Sequence, residues 1–291
     1  MAQVLSPAVS IRPKPARFIR QDPPLVRWGL VLLAVLAMGL FVVMPLAAVF
    51  VQAFEKGGAA YLAAIREPDS MSAIQLSLLT MCIVVPLNTI FGVAAAWAIT
   101  KFDFKGKSAL ITLIDIPFGV SPVISGLIYV LTLGSRGWFG PWLDDHNIHI
   151  VFAVPGIILA TTFVTFPFVA RELIPLMESQ GSDEEEAAMV LGASGWQMFR
   201  RITLPNIRWG LLFGAVLCTA RALGEFGAVS VVSGHIRGQT NTLPLQVEIL
   251  YNDYKYAGAF AVASLLSVVA VITLVLKQIL ERRTSDERST P

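Results

Sequence analysis

The chain has 291 residues, of which 55% are hydrophobic and only 14% charged, against about 25% charge in a typical soluble domain. A mean hydropathy of +0.68 and a net charge of only +2 exclude a water-soluble enzyme fold and a strongly basic nucleic-acid binder. The two cysteines, Cys82 and Cys218, stand inside apolar runs and read as small core residues, not as a disulfide or a metal site.

Residues 1–27 carry Arg12, Lys14, Arg17, Arg20 and Arg27 among Pro13, Pro15, Pro23 and Pro24, and read as a flexible cytoplasmic tail. A bilayer core about 30 Å thick needs about 20 apolar residues in a helix. The first such run, Trp28 to Phe54, has 27 residues without a charge, too long for the apolar core of a cleaved signal peptide, about 7–15 residues. The second lies within Ser70 to Thr100. The third, Ala109 to Leu133, is interrupted by Asp115, and Pro117 and Pro122 are placed to bend or break it. The fourth is Ile150 to Ala170. The fifth, Trp209 to Gly234, contains Arg221 and Glu225, and the sixth is Tyr256 to Leu276. No alternating barrel pattern appears, so helices are expected. The expectation is an all-α membrane protein with six transmembrane helices over 28–280 and a short C-terminal tail, 281–291.

Basic residues orient the chain. Sixteen of the 22 Lys and Arg fall in the N-terminal tail, at Lys101, Lys105 and Lys107, in the loop 171–208, and from Lys277 onward. Five fall on the opposite side, and Arg221 lies within a span. Both termini are therefore expected in the cytoplasm. Nothing marks a nucleotide or catalytic site. Gly106-Lys107-Ser108 lacks the earlier glycine of a phosphate-binding loop, where Lys101 stands instead. His146 and His149 are spaced to share a helical face, but no third metal ligand accompanies them.

The loop 171–208 carries the main signal. Ser182 with Glu185 three residues on predicts a capping box, with Asp183 and Glu184 at the positive end of the helix dipole. Gly192 is placed to end this short helix. Ser194 with Gln197 predicts a second box, opening an amphipathic helix with Trp196, Phe199 and Ile202 on its apolar face and Trp196, Arg200 and Arg201 suited to the membrane interface. Leu204-Pro205 should stop it before the fifth span. The result is a rigid elbow on the cytoplasmic side, the kind of element through which a soluble motor can push on a membrane domain. Glu186-Ala187-Ala188, Gly192, Ile202 and Leu204-Pro205 match the EAA pattern of ABC importer permeases, E-A-A-x-x-x-G, nine residues, then I-x-L-P. The chain thus resembles a type I ABC importer permease, and the resemblance implies that the first helix couples to an ATP-hydrolysing subunit.

Arg221 and Glu225 are four residues apart and should share a helix face near mid-membrane. An unpaired Arg there is costly, so the two should pair and point inward. Gly210, Gly214, Gly224 and Gly227 would allow a neighbouring helix close approach. The pair reads either as a structural lock or as a positive potential offered to a passing anion and tempered by Glu225. Ala220 to Ala228, Asp115 to Pro122, Val229 to Gly234 with Ile236-Arg237-Gly238, and Leu191 to Arg201 with Thr203 to Asn206 resemble the W-type permeases of sulfate/thiosulfate importers. That resemblance implies a bacterial inner-membrane subunit with no catalytic residue and no metal or cofactor of its own. Its partners would be a T-type permease, two ATP-binding subunits that use ATP and magnesium, and a periplasmic sulfate/thiosulfate-binding protein. That protein would dock on outer loops such as Gly134 to His149 and Ser233 to Lys255, where Leu243 to Tyr254 suggests a short interfacial helix. Ser121, Ser125, Thr165 and Ser230 offer hydroxyls to an anion, their facing left open by sequence. A molybdate or tungstate importer shares the charge pattern. A secondary anion transporter is the alternative of a different class, though no internal repeat favours it.

Overall fold

The computed structural model describes residues 24–289, with side chains as far as 279. Most of the expected N-terminal tail lies outside the described residues. Every regular element among the described residues is a helix, and the chain falls into two compact units, one ending at Ala47 and the other beginning at Ala48. The first long helix, α1, spans Pro24–Phe54 and contains a π-helical turn at Gly39–Val43.

In the second unit, α2 (Gly58–Arg66) leads into α3 (Pro68–Lys101), a 34-residue helix that starts on a proline. Proline is tolerated there because the first N–H groups of a helix have no intrahelical partner. The third apolar run is not one helix. It is α4 (Lys107–Gly119) and α5 (Pro122–Leu133), bent by 106° at the Ser121-Pro122 break. Pro122 forbids continuation because its ring displaces the preceding residue from helical geometry, and Val120 and Ser121 are extended accordingly. A short α6 (Gly140–Asp145) comes next. α7 (Val154–Gln180) runs ten residues past the expected end of the fourth span at Ala170. α8 (Asp183–Val190) and α9 (Gly195–Leu223) form the elbow and the fifth span. Then come α10 (Gly227–Val232), α11 (Leu243–Asn252) and α12, which continues to Ser289, so most of the expected C-terminal tail is helix.

Three helices, α3, α7 and α9, pack on one another around Ala96, Val169, Leu173, Ile207 and Cys218. Small residues set their spacing. A side chain at Gly92 would meet Val169, one at Gly210 would meet Leu176, and one at Gly214 would reach the Val169 backbone. Close approach of this kind suits membrane helices, which gain nothing from apolar burial against lipid tails. A buried amide also ties them, since Asn88 Nδ2 donates to Thr165 Oγ1 at 2.7 Å and lies 3.7 Å from Cys218 Sγ. A second cluster joins Leu76, Ile157, Ala160, Ala228, Val229 and Leu245. Cys218 is thus a core residue, but Cys82 is exposed on the surface of α3. The short helix expected within Leu243 to Tyr254 forms as α11, with Leu243, Leu245, Gln246 and Leu250 buried against α3 and α12.

Candidate functional site: the elbow and the Arg221 pair

The elbow is built by glycines at its two bends. Gly181 (φ +73°) ends α7 and Gly192 (φ +85°) ends α8, a left-handed geometry that other residues adopt only with strain. Beyond Gly192 the Ser194–Gln197 capping box forms as the spacing predicts. The Ser182–Glu185 box does not. Ser182 Oγ donates instead to Glu186 Oε1 at 2.6 Å, and Glu185 turns away into the bundle. There Glu185 Oε2 pairs with Lys101 Nζ at 2.7 Å, while Oε1 accepts from Thr203 Oγ1 at 3.0 Å. Lys101 Nζ also donates to the Gly181 carbonyl at 2.5 Å. A second strut is polar too. Asn206 Nδ2 donates to Glu184 Oε2 at 2.6 Å, and Gln180 Nε2 donates to the Asn206 carbonyl at 2.9 Å. These groups border a cleft of about 520 Å³ that also reaches Arg208 and Trp209.

Leu204-Pro205 does not stop the second elbow helix. The helix runs unbroken from Gly195 to Leu223 through a π-turn at Phe199–Thr203, where the Leu204 N–H bonds the Phe199 carbonyl. A wider turn accommodates Pro205, which has no N–H to give and whose ring would crowd a carbonyl one turn back.

The back of the elbow is bonded to the bundle and its front is open. Val190 and Leu191 are each 87% exposed and Trp196 is 69% exposed. Glu186, Ala187, Gly192 and Pro205 are exposed as well, with Ala188, Ile202 and Leu204 half-buried. Apolar side chains this bare on one small feature mark an interaction surface.

The second locus lies at the far end of α9. Arg221 is in the last turn of that helix and Glu225 comes after its end, so the two do not share one helix. They still meet, Arg221 Nη1 to Glu225 Oε2, at 2.6 Å, with Arg221 33% exposed and Glu225 1%. Glu225 Oε1 accepts from the Ala228 N–H at 2.9 Å, which turns the chain into α10 and accounts for the fifth span ending early. Gly227 abuts Pro122 at the start of α5, whereas Gly224 faces only its own preceding turn. Asp115, the charge within the third run, pairs bidentately with Arg171 at 2.8 and 3.0 Å, and the guanidinium lies 5.0 Å from the Phe118 ring centroid. Periodicity within one segment could not find that partner, 56 residues away.

The hydroxyls of Ser125, Thr165 and Ser230 donate to carbonyls of their own helices. Gly106 (φ +102°) caps the start of α4 and is a turn, not a phosphate loop. His146 sits just past the end of α6, bonded to the Trp142 carbonyl at 2.7 Å, and His149 lies in the loop after it, so the two do not share a helix.

Residues 88–286 match the family model described as binding-protein-dependent transport system inner membrane component. The sulfate transport system permease protein CysW of Escherichia coli strain K12 is 53% identical over 271 residues, which cover 92% of this chain and 93% of that protein. The sulfate transport system permease protein CysT of the same strain is 32% identical over 244 residues, covering 84% and 88%. In fold, the chain resembles a chain of a bacterial ABC transporter involved in the import of the acidic polysaccharide alginate. That likeness has a TM-score of 0.73 at 19% identity and covers 91% of this chain and 96% of the other. Elbow, bundle and sequence agree, and the chain belongs to the family of binding-protein-dependent transport system inner-membrane components.

Proposed function

We propose that this chain is the W-type permease subunit of an ATP-driven importer of sulfate and thiosulfate. The observation that carries the transport reading is the elbow, which presents bare Val190, Leu191 and Trp196 outward while Glu184 and Glu185 are bonded into the bundle behind. Similarity to CysW, at 53% against 32% for CysT, supports both the substrate and the W type. In this reading a T-type permease completes the pathway, and two ATP-binding subunits, using ATP and magnesium, receive the elbow through Glu186, Ala187, Ala188 and Gly192. Ile202, Leu204 and Pro205 shape the helix behind it. A periplasmic binding protein delivers the anion on the opposite face.

The cycle is alternating access. Closure of the ATPase dimer draws the elbows together and opens the permease outward; hydrolysis returns it inward. Arg221, held by buried Glu225, offers a partly neutralised positive charge to the anion. Such a site attracts a dianion without retaining it.

Labelled sulfate uptake in cells lacking this chain, with and without its restoration, tests the proposal. Restored uptake that excess thiosulfate blocks and excess molybdate hardly affects is expected. Restored molybdate uptake without sulfate uptake would keep the ATP-driven permease and replace the substrate. Uptake that persists without the ATP-binding subunits would place the chain among secondary transporters.

A further inference from the structure

Glu185 divides its two carboxylate oxygens between two long helices. Oε2 takes Lys101, the last residue of α3, at 2.7 Å, and Oε1 takes Thr203 on α9 at 3.0 Å. The ion pair is nearly dry, with side-chain exposures of 13% for Lys101 and 11% for Glu185. A charge-assisted pair in such surroundings is short and directional, and removing one partner strands the other. Lys101 also holds the Gly181 carbonyl, so its ammonium grips both the hinge before α8 and the helix itself.

A second, apolar link reaches the same turn of α3 from the other limb of the elbow. Trp196 stacks on Phe199 with centroids 5.7 Å apart, Phe199 meets Trp97 at 5.1 Å, and Trp97 meets Phe102 at 5.9 Å. Both limbs therefore attach to one place. From there α3 runs about 36 Å back to Ser77, at 1.5 Å per residue, and Ser77 Oγ accepts the Leu243 N–H that opens α11, at 2.8 Å.

We propose that the last turn of α3 is where motion of the elbow enters the bundle, with Lys101 as the positioning residue that makes α3 move with α8. The proposal rests on the ATP-coupled reading above. Without the Lys101–Glu185 bond, α8 can move with its docking partner while α3, and the α11 end it contacts, stays behind. Hydrolysis then proceeds without transport.

The test uses the complete complex, with both permeases, the ATP-binding subunits and the binding protein, in proteoliposomes. The readout is ATP hydrolysed per sulfate moved. Lys101→Met and Glu185→Gln should each raise that ratio by about fivefold or more, the lower end of usual coupling between sites. Subunit stoichiometry should be unchanged, and Lys101→Arg should restore coupling. A variant complex that assembles and keeps the wild-type ratio, or one that is merely less heat-stable at an unchanged ratio, overturns the proposal. A wild-type complex that moves no sulfate on ATP overturns the functional reading instead, which keeps the two failures distinct.

Discussion

Arg221 and Glu225 are unequal partners, because the carboxylate is 1% exposed and the guanidinium 33%. Removing the arginine leaves a buried charge with little but the Ala228 N–H to hold it, and breaking a buried pair in this way costs about 3–5 kcal/mol. Removing the carboxylate leaves a guanidinium one-third exposed at the surface of this chain, and the lost charged hydrogen bonding costs about 1.5–3 kcal/mol. Thermal unfolding of the purified complex should therefore rank Arg221→Ala below Glu225→Gln, with the double variant Arg221→Ala/Glu225→Ala milder than the sum of the single changes. An additive result would mean that the two side chains do not act as a pair. Their meeting was legible in the sequence, because four residues is short enough for local geometry to carry it. The partner of Glu185 was not. Ser182 three residues upstream offered a local bond, and Lys101, 84 residues away, outcompeted it through a contact that exists only once α3 and α7 have packed.

Among the elements, α9 departs furthest from its sequence pattern. Leu204-Pro205 reads as a stop, yet the helix absorbs it in the π-turn Phe199–Thr203. One extra residue in a turn rotates the helix on its N-terminal side by about 100° relative to the helix on its C-terminal side, since the α-helix has 3.6 residues per turn. The π-turn thus sets the direction in which Trp196 faces relative to the bundle. Pro205→Ala restores an N–H and removes the ring, so the turn can relax to α-helix and the elbow face rotates. Thermal stability should be kept or slightly raised. Uptake should fall a few-fold, the effect of about 0.5–2 kcal/mol of altered coupling. Uptake at the wild-type rate would mean that the π-turn only accommodates the proline. The Ser194–Gln197 box and the bend at Gly192 were legible because capping chemistry is local. The 106° angle between α4 and α5 was legible only as a break at the prolines. Its size is set by packing of α5 on α10, an element that hydropathy had merged into the fifth span.

For the second unit, the number of crossings is fixed by which helix ends meet. The end of α3 and the end of α7 share the elbow face, joined by Lys101 and the Gly181 carbonyl. At 27 residues, α7 must begin on the opposite face, where the Phe152 N–H bonds the Val232 carbonyl after α9 has crossed back. The chain between α3 and α7 therefore crosses once, and the bent pair α4 and α5 counts as a span. The start of α12 lies on that opposite face too, with Lys255 paired to Glu67 at 3.1 Å beside the start of α3. α12 then returns to the elbow face. That face receives Lys101, Lys105, Lys107, Arg200, Arg201 and Arg208, while Lys56, Arg66, Arg136, Arg237 and Lys255 lie opposite. With Lys277, Arg282, Arg283 and Arg288 on the returning part of α12 added to the elbow face, the bias of Lys and Arg leads us to propose that the elbow faces the cytoplasm. A variant without Cys82 and Cys218, carrying either Asp183→Cys on the elbow or Ser135→Cys after α5, tests this with a membrane-impermeant maleimide. Spheroplasts should label Ser135→Cys at once and Asp183→Cys only after permeabilisation. The reverse order would turn the molecule over and detach the elbow from any cytoplasmic ATPase, whereas equal labelling of both sites in sealed cells would contradict the crossing of α4 and α5.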